Sequence, residues 1–573
     1  MTPETTLRVT PDDGALESTT LLPKVIGADV ELGNFVTRVA RTPSGWSRES
    51  SDRIFRTLGP DPDDAARAIV AEFQGVPSGH QELLATAWRG GGDRPGSARR
   101  TRAHAGWVDP QDRERKFLST GVGCVYIDLS HTELCAAETT SAFDHVAIWH
   151  AMLRTARLAL DQANAKQPEG ETIHLLANTS DGLGHSWGSH LSFLITRRAF
   201  DRVCTVRRLD ALLWLASFQS SAIIYAGAGK VGAENGAPHV GYQLSQRADF
   251  IETLFGSQTT YQRPLVNSRD EPLCGSVRGT RRHARSDMAR LHVICFDTNL
   301  CQHAALVKVG AMQIVLAMLE AEVDDFALAL EDPVEAMGIW SRDLTLGERV
   351  PLMRGGATSA LQLQSRFLEQ ARAFVQQGRC EGIVPRAAEI IACWEEALDT
   401  LRRGDLREMA TKFDWALKLE VLGKALRANP SLDLQSAEMK HLDHLYASVA
   451  TDGIYWACER AGLVHRLVDD VIIERFVHEP PEDTRAWTRA QLLRRLGKEQ
   501  VDAVDWDYVR CRVGWGQRPG TTKTIHLEDP NGYGRAATEP LFAQAKTDSA
   551  LLNLFSAECD TQQPQHLTRG SHQ

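Results

Sequence analysis

Two runs in the first quarter of the chain combine apolar residues with acids at a spacing of two. Val25-Ile26-Gly27-Ala28-Asp29-Val30-Glu31 and Val125-Tyr126-Ile127-Asp128-Leu129-Ser130-His131-Thr132-Glu133 predict strands, because successive side chains of an extended segment point to opposite faces. On that reading Asp29 and Glu31 share one face, Tyr126 and Asp128 share another, and Glu133 and Glu138 follow within a strand length. Elsewhere the apolar period lengthens toward that of a helix. Asp63 to Val70 predicts a short helix, and helical spacing returns near 140 with Phe143, Val146, Ala147, Trp149 and Leu153. Ile173 to Leu176 reads as extended. Long helices are predicted across 300–475, among them Ala304 to Glu320 and Leu361 to Gln376. Pro480-Pro481 then breaks the pattern, and a helix over Ala486 to Leu496 precedes two short strands around Trp506.

These elements predict an α+β fold, with a main body over 21–475 and a small separate C-terminal domain over 476–560. Residues 1–20 and 561–573 read as polar tails. The stretch 40–118, with Trp88-Arg89-Gly90-Gly91-Gly92-Asp93-Arg94-Pro95-Gly96 at its middle, reads as a mobile insertion, a lid over the site.

Composition narrows the class without choosing a function. The 573 residues are 43% hydrophobic and 24% charged, as in an ordinary globular protein, and the net charge of −10 argues against nucleic acid as a partner. No apolar run is expected to span a bilayer, so no membrane partner is predicted. Eleven cysteines without metal-type pairs read as buried thiols of a reducing compartment, which makes the cytoplasm the expected location.

The acids carry the chemistry. Carboxylates converging on rigid strands repel one another unless protons or a cation neutralise them, so Asp29, Glu31, Asp128, Glu133 and Glu138 with Tyr126 point to a divalent-metal or catalytic site. The Gly-rich segment 178–190 is a candidate cradle for phosphate, with His190 as a ligand. His292 lies in an apolar strand, where a core histidine is the simpler reading of that residue alone. Arginines around 263–269 and Arg290 could clamp phosphate or carboxylate oxygens. Ala226-Gly227-Ala228-Gly229-Lys230 lacks the spacing of a nucleotide-binding P-loop, and close packing explains it better.

The order of segments resembles the Pup ligase and Pup deamidase (depupylase) family, related to glutamine synthetase and the glutamate–cysteine ligases. Gly27-Ala28-Asp29-Val30-Glu31-Leu32-Gly33 is similar to its opening strand. Tyr126-Ile127-Asp128 with His131-Thr132-Glu133 is similar to its acidic hairpin. Asn178-Thr179 and Ser186-Trp187-Gly188-Ser189-His190 resemble its loop, and Arg263 to Pro272, Arg290 to Ile294 and Asp505-Trp506 resemble its later blocks. The chain departs from the pattern at several positions. Asp29 stands for a glutamate, Cys124 for an arginine, Ala136 for a threonine, Leu191-Ser192 for Glu-Asn, and Leu273 for a histidine.

The resemblance implies a glutamine-synthetase-like antiparallel curved sheet packed with helices, plus a small C-terminal α/β domain. It implies ATP and Mg²⁺, with Asp29, Tyr126 and Glu133 holding metal, to which Glu31, His190 and His292 are added as candidates. It implies Asp128 as the catalytic aspartate, and Trp506, Ala136 and Arg290 on the ATP side. The expected reaction moves the γ-phosphoryl group of ATP to an acceptor carboxylate for amide (isopeptide) formation or cleavage, with a Pup-like protein tag as partner. The short Asp128-to-Glu133 spacing, the Asp181-Gly182 turn and the position of the 40–118 insertion lean toward the deamidase branch. An alternative keeps the ATP site but phosphorylates a small molecule or nucleotide. A third reading is a nucleotide-binding regulator without activity.

Overall fold

The computed structural model describes residues 21–38, 40–42, 45–47, 62–78, 114–204, 209–270, 287–512 and 522–561. Its centre is an antiparallel sheet of eight strands. From one edge the order runs Met288–Val293, Ser189–Thr196, Ile26–Arg38, His131–Thr139, Gly123–Asp128, Lys116–Leu118 and Gly75–Pro77, and Glu171–Leu176 pairs with the far half of Ile26–Arg38. Period-two alternation gives the sheet two unlike faces. Val30, Leu32, Val125, Leu134, Phe193 and Leu291 point into the main apolar core. Each such side chain contributes about 1.5–3 kcal/mol by leaving water. The other face carries Asp29, Glu31, Tyr126, Glu133, His190 and His292.

Helices Pro62–Glu72, Ala142–Asn164 and Gln302–Glu320 join the strands around the apolar core. Ala142–Asn164 begins where the Ser141 hydroxyl accepts from the Asp144 N–H, an N-cap that sequence spacing alone did not mark. Gln302–Glu320 is long and apolar enough, by length and composition, to cross a membrane, contrary to the expectation of no such run. All of its apolar window is buried in the protein, with Lys308 and Gln313 bonded inside, so it is a core helix.

Two boundaries differ from expectation. Within 40–118, helix Pro62–Glu72 buries Ala65, Ala66, Ile69 and Val70, and Gly75–Pro77 and Lys116–Leu118 are strands of the sheet. These parts are core rather than insertion: the helix and Leu118 pack into the main core, and Val76 and Phe117 into the core shared with the C-terminal unit. The Gly-rich middle, the N-terminal tail, residues 562–573 and Leu273 lie outside the described residues. The C-terminal unit contains helix Arg485–Gln500, an antiparallel trio of strands (Val501–Asp505, Tyr508–Arg512, Thr522–His526) and two further helices. The third strand was not expected. The unit is also not separate: Leu492, Leu493, Leu496, Val504 and Val509 form one core with Val76, Phe117, Cys124, Tyr126 and Cys135 of the sheet. It covers one end of the polar face and turns that face into a cleft.

Candidate active site

The strand register sorts the polar residues into rows. Glu31 lies opposite Glu133, which lies opposite Tyr126. One pleat away, Asp29 lies opposite His190 on one side and Cys135 on the other. Asp128 ends its strand at a two-residue turn, Leu129-Ser130, where both residues have positive φ (44° and 71°). Leu129 is 67% exposed there, at the mouth of the cleft. The rows therefore give two groups of ligand-type side chains: Glu31, Asp128 and Glu133, and Asp29, His190 and His292, each with donor atoms within 4.8 Å of one another.

Crowding of like charges governs the first group. Burial and the Asp128 charge push the Glu31 carboxyl up to about 7. Burial, with Glu31, Asp29 and Asp128 around it, holds Glu133 well above the carboxylate range. Tyr126 is buried and held well above the usual phenol range, first by burial, so it stays neutral, and its hydroxyl bonds Glu133. In the second group burial pushes Asp29 up, but the hydrogen bond and charge of His190, with His292 and Arg290 beyond, leave it below the ordinary value. His190 Nδ1 is 3.4 Å from Asp29 Oδ2. Burial, and then Arg290 and His190, hold the His292 ring well below its usual value, so it is neutral.

The cleft encloses a cavity of about 200 Å³ between the acidic floor and two walls. One wall is the segment Ser186-Trp187-Gly188 with Arg263, whose guanidinium donates to the Ser186 carbonyl at 2.7 Å. Gly188 is required by close approach: a Cβ there would lie 2.6 Å from Glu31 Oε1 and 2.6 Å from His190 Cε1. Part of the segment 178–190, expected to cradle phosphate, has its amides engaged elsewhere. The amides of Leu183 and His185 donate to Asp181, that of Gly184 to Glu234, and that of Trp187 to the Thr179 carbonyl, so the part of the segment that faces the cavity is Ser186 to Gly188 and His190. The other wall is the C-terminal unit, with Arg485, Trp506 and Pro530.

The structure brings most of the expected residues to this cavity. Asp29, Glu31, Tyr126, Asp128, Glu133, His190, His292, Ala136, Arg290 and Trp506 all line it. Asp29 also stands with the two histidines, while the Tyr126 hydroxyl bonds Glu133, because register places Asp29 and Glu31 in successive rows. Ala136 also belongs to the apolar core. Arg290 donates to the Ser192 hydroxyl at 3.1 Å. Glu138 leaves the acidic group altogether. It accepts from Arg485 at 2.7 Å and from Arg489 at 2.5 Å, and these cations outweigh burial and hold its carboxyl down at about 2.

Sequence reading missed three arginines. Arg115 lies buried in the cavity with its guanidinium 4.3 Å over the Tyr126 ring and 4.0 Å from Asp505. Its charged neighbours Asp112-Arg113-Glu114-Arg115-Lys116 made it look like part of a solvated run. Arg485 lies 347 positions from its partner Glu138, beyond any local signal. Arg247, fully buried, donates to the Trp187 carbonyl and braces the first wall. By contrast Lys230 is neutralised by Glu234 (2.8 Å) and Asp249 (2.9 Å), in keeping with the packing role read for its loop.

An antiparallel sheet with a carboxylate-lined face, backed by helices and roofed by a small C-terminal unit, defines the glutamine-synthetase-like class of ligases. The model of the Pup-ligase protein family matches residues 56–510. A Pup deamidase/depupylase of Mycolicibacterium smegmatis is 35% identical over 401 residues, covering 70% of this chain and 76% of that protein. A Pup–protein ligase of Pseudarthrobacter chlorophenolicus is 34% identical over 409 residues, covering 69% and 83%. Among solved structures, the complex between the prokaryotic ubiquitin-like protein Pup and its ligase PafA matches with a TM-score of 0.67 at 21% identity over 96% of this chain and 99% of that one. The Pup ligase PafA in complex with ADP matches at 0.63 and 24% identity over 82% and 94%. The chain belongs to the Pup-ligase family, and with it is an ATP-dependent enzyme of the carboxylate–amine ligase type.

Proposed function

We propose that the protein binds Mg-ATP over the acidic floor and uses it to make or cleave an amide bond at a carboxylate of a Pup-like protein tag. The observation that carries this reading is three carboxylates, Glu31, Asp128 and Glu133, facing a cavity that Arg263, Arg269 and Arg290 also line. The carboxylate set fits a hard cation. All its donors are oxygen, Glu133 Oε2 is buried without a hydrogen-bond partner, and the acids destabilise one another in its absence. Glu31 and Glu133 would hold Mg²⁺, with the Tyr126 hydroxyl orienting Glu133. Bound there, the ion supplies charge neutralisation to phosphoryl oxygens during transfer.

Asp128, nearer the mouth, is the base. It takes the proton of an attacking amine or water. The arginines opposite bind the anionic oxygens of phosphate and acceptor carboxylate in their fork geometry. The half-buried face of Trp506 offers a stacking surface for the nucleotide base. A ligase at 34% and a depupylase at 35% identity resemble this chain to nearly the same degree, so the reading covers both directions. The small-molecule acceptor gains no support from these relatives.

The test is Asp128→Asn assayed against a tagged substrate and, separately, for Mg-ATP binding. Turnover is expected to fall by a factor on the order of 10³, with nucleotide affinity within about threefold of the parent. Undiminished turnover overturns the role of Asp128, and failure of the parent protein to bind ATP overturns the reading as a whole.

A further inference from the structure

We propose that Arg115 holds the inner, α and β, phosphates of the nucleotide, which leaves Arg263, Arg269 and Arg290 to the transferred phosphoryl group and the acceptor carboxylate. The inference deepens the reading of the cavity as a Mg-ATP site and rests on it. It gives the cavity a polarity: a nucleotide end and an acceptor end, each with arginine of its own.

The sheet separates the two ends. Arg290 belongs to Met288–Val293 at one edge, and Arg115 immediately precedes Lys116–Leu118, five strands further across. At the ordinary strand spacing that is roughly 24 Å along the sheet. The arginines of the two ends therefore face different parts of whatever fills the cavity. Only Arg115 comes from the sheet on the side where the C-terminal unit forms the wall.

Arg115 is built into that end. It is 4% exposed, and its carbonyl accepts from the Ser78 N–H at 3.0 Å, which ties its backbone to the neighbouring chain segment. Its guanidinium lies 4.3 Å over the Tyr126 ring, and the Tyr126 hydroxyl bonds Glu133. A line thus runs from a carboxylate of the floor through the phenol to the guanidinium. Beside it, Asp505 Oδ1 stands 4.0 Å from the guanidinium and accepts from the Trp506 N–H at 2.8 Å. One carboxylate therefore sets both the guanidinium and the ring offered to the base. A nucleotide stacked on Trp506, with its outer phosphate over Glu31 and Glu133, must carry its inner phosphates past Arg115. The guanidinium fork matches paired phosphate oxygens. Stacked on a neutral phenol in a cleft shielded from water, it keeps most of its attraction for an anion. The neighbouring Arg485 serves the wall instead, donating to Glu138 at 2.7 Å and to the Leu527 carbonyl at 3.0 Å.

The experiment measures binding of Mg-ADP and of adenosine to the full chain, in the parent and in Arg115→Met, which keeps an apolar stem without the charge. ADP affinity is expected to fall about 10–100-fold, as when a charge-assisted hydrogen bond is lost, with adenosine affinity within about twofold of the parent. In turnover the loss should appear in KM for ATP rather than in kcat, because inner phosphates are held alike before and during transfer. An unchanged ADP affinity overturns the proposal. So does an equal loss for adenosine, which brings no phosphate and would report a clamp that holds the wall through Asp505. Should Arg115→Met fail to fold, Arg115→Lys keeps the charge and loses the fork. ADP affinity is then expected to fall about three- to tenfold, and parental ADP affinity in that variant overturns the proposal. A parent that binds no ADP sinks the Mg-ATP reading itself, whereas a parent that binds ADP no better than its variants sinks the role of Arg115 alone.

Discussion

Glu133 and Glu138 lie on the same strand, both buried, in opposite electrostatic company. Around Glu133 stand Glu31, Asp29 and Asp128, and its proton is hard to remove. Around Glu138 stand Arg485 and Arg489, and its proton is hard to keep. In the first region, around Glu133, acids predominate, which is the arrangement of a site that receives a cation. The second carries its cations from the C-terminal unit and uses them to fix that unit over the cleft. A buried acid therefore identifies a functional site only together with what surrounds it.

Replacing Glu138 with alanine breaks the comparison most severely. It leaves two buried guanidinium groups without their carboxylate and is expected to cost about 3–5 kcal/mol, measured by chemical denaturation, with Trp506 fluorescence reporting the loosened wall. The pH dependence follows the same pair. The folded carboxyl sits at about 2 against an ordinary 4.5, so its stabilisation is complete above about 4.5 and is lost as pH falls toward 2. Glu138→Gln should flatten that acid limb of a stability–pH profile.

Gly188→Ala tests the crowding of the floor. Its methyl would press on Glu31 and His190 and should cost roughly 1–3 kcal/mol, read as a lowered melting temperature together with weakened cation binding. Glu133→Gln should act with the opposite sign on stability. Removing one acid from the crowded group should raise the stability of the metal-free protein by roughly 1 kcal/mol while abolishing the additional protection that Mg²⁺ gives the parent in a thermal scan. A destabilised, metal-free Glu133→Gln protein would show that the acids are not in conflict. The smallest effect is expected at the hairpin beside Asp128. Leu129→Asn relieves a bulky residue from positive φ and should gain roughly 0.5–1 kcal/mol in the same scan.

What could be read from the chain follows the range of the interactions. Alternation put Asp29 with Glu31 and Tyr126 with Asp128 on common faces, because a strand's side chains are fixed by its own backbone. Alternation does not contain register, so it could not tell that Asp29 would meet His190 and His292 while Glu31 met Glu133. The helix over 62–72 showed in the spacing of its apolar residues. The strands Gly75–Pro77 and Lys116–Leu118 did not, since three residues carry too little pattern to distinguish an edge strand from a loop. Glu138 was grouped with the metal acids because its neutralising arginines come from a helix beginning at 485. The family resemblance supplied the ATP chemistry, but not Arg115, whose place over Tyr126 exists only once its strand has joined the sheet.

The long central strand Ile26–Arg38 has a consequence for how the chain is made. It pairs along one side first with Ser189–Thr196 and then with Glu171–Leu176, and along the other with His131–Thr139. On the ribosome this strand emerges before all of these partners, and the edge strand near 290, which pairs with Ser189–Thr196, and the roof beyond 484 follow later still. Such distant pairings close slowly. A chain halted before Arg485 would have its acids assembled and Glu138 without a counter-ion. Synthesis of the segment beyond 484 is thus the step that closes the cleft, and a fragment that stops short of it lacks the wall against which a nucleotide would rest.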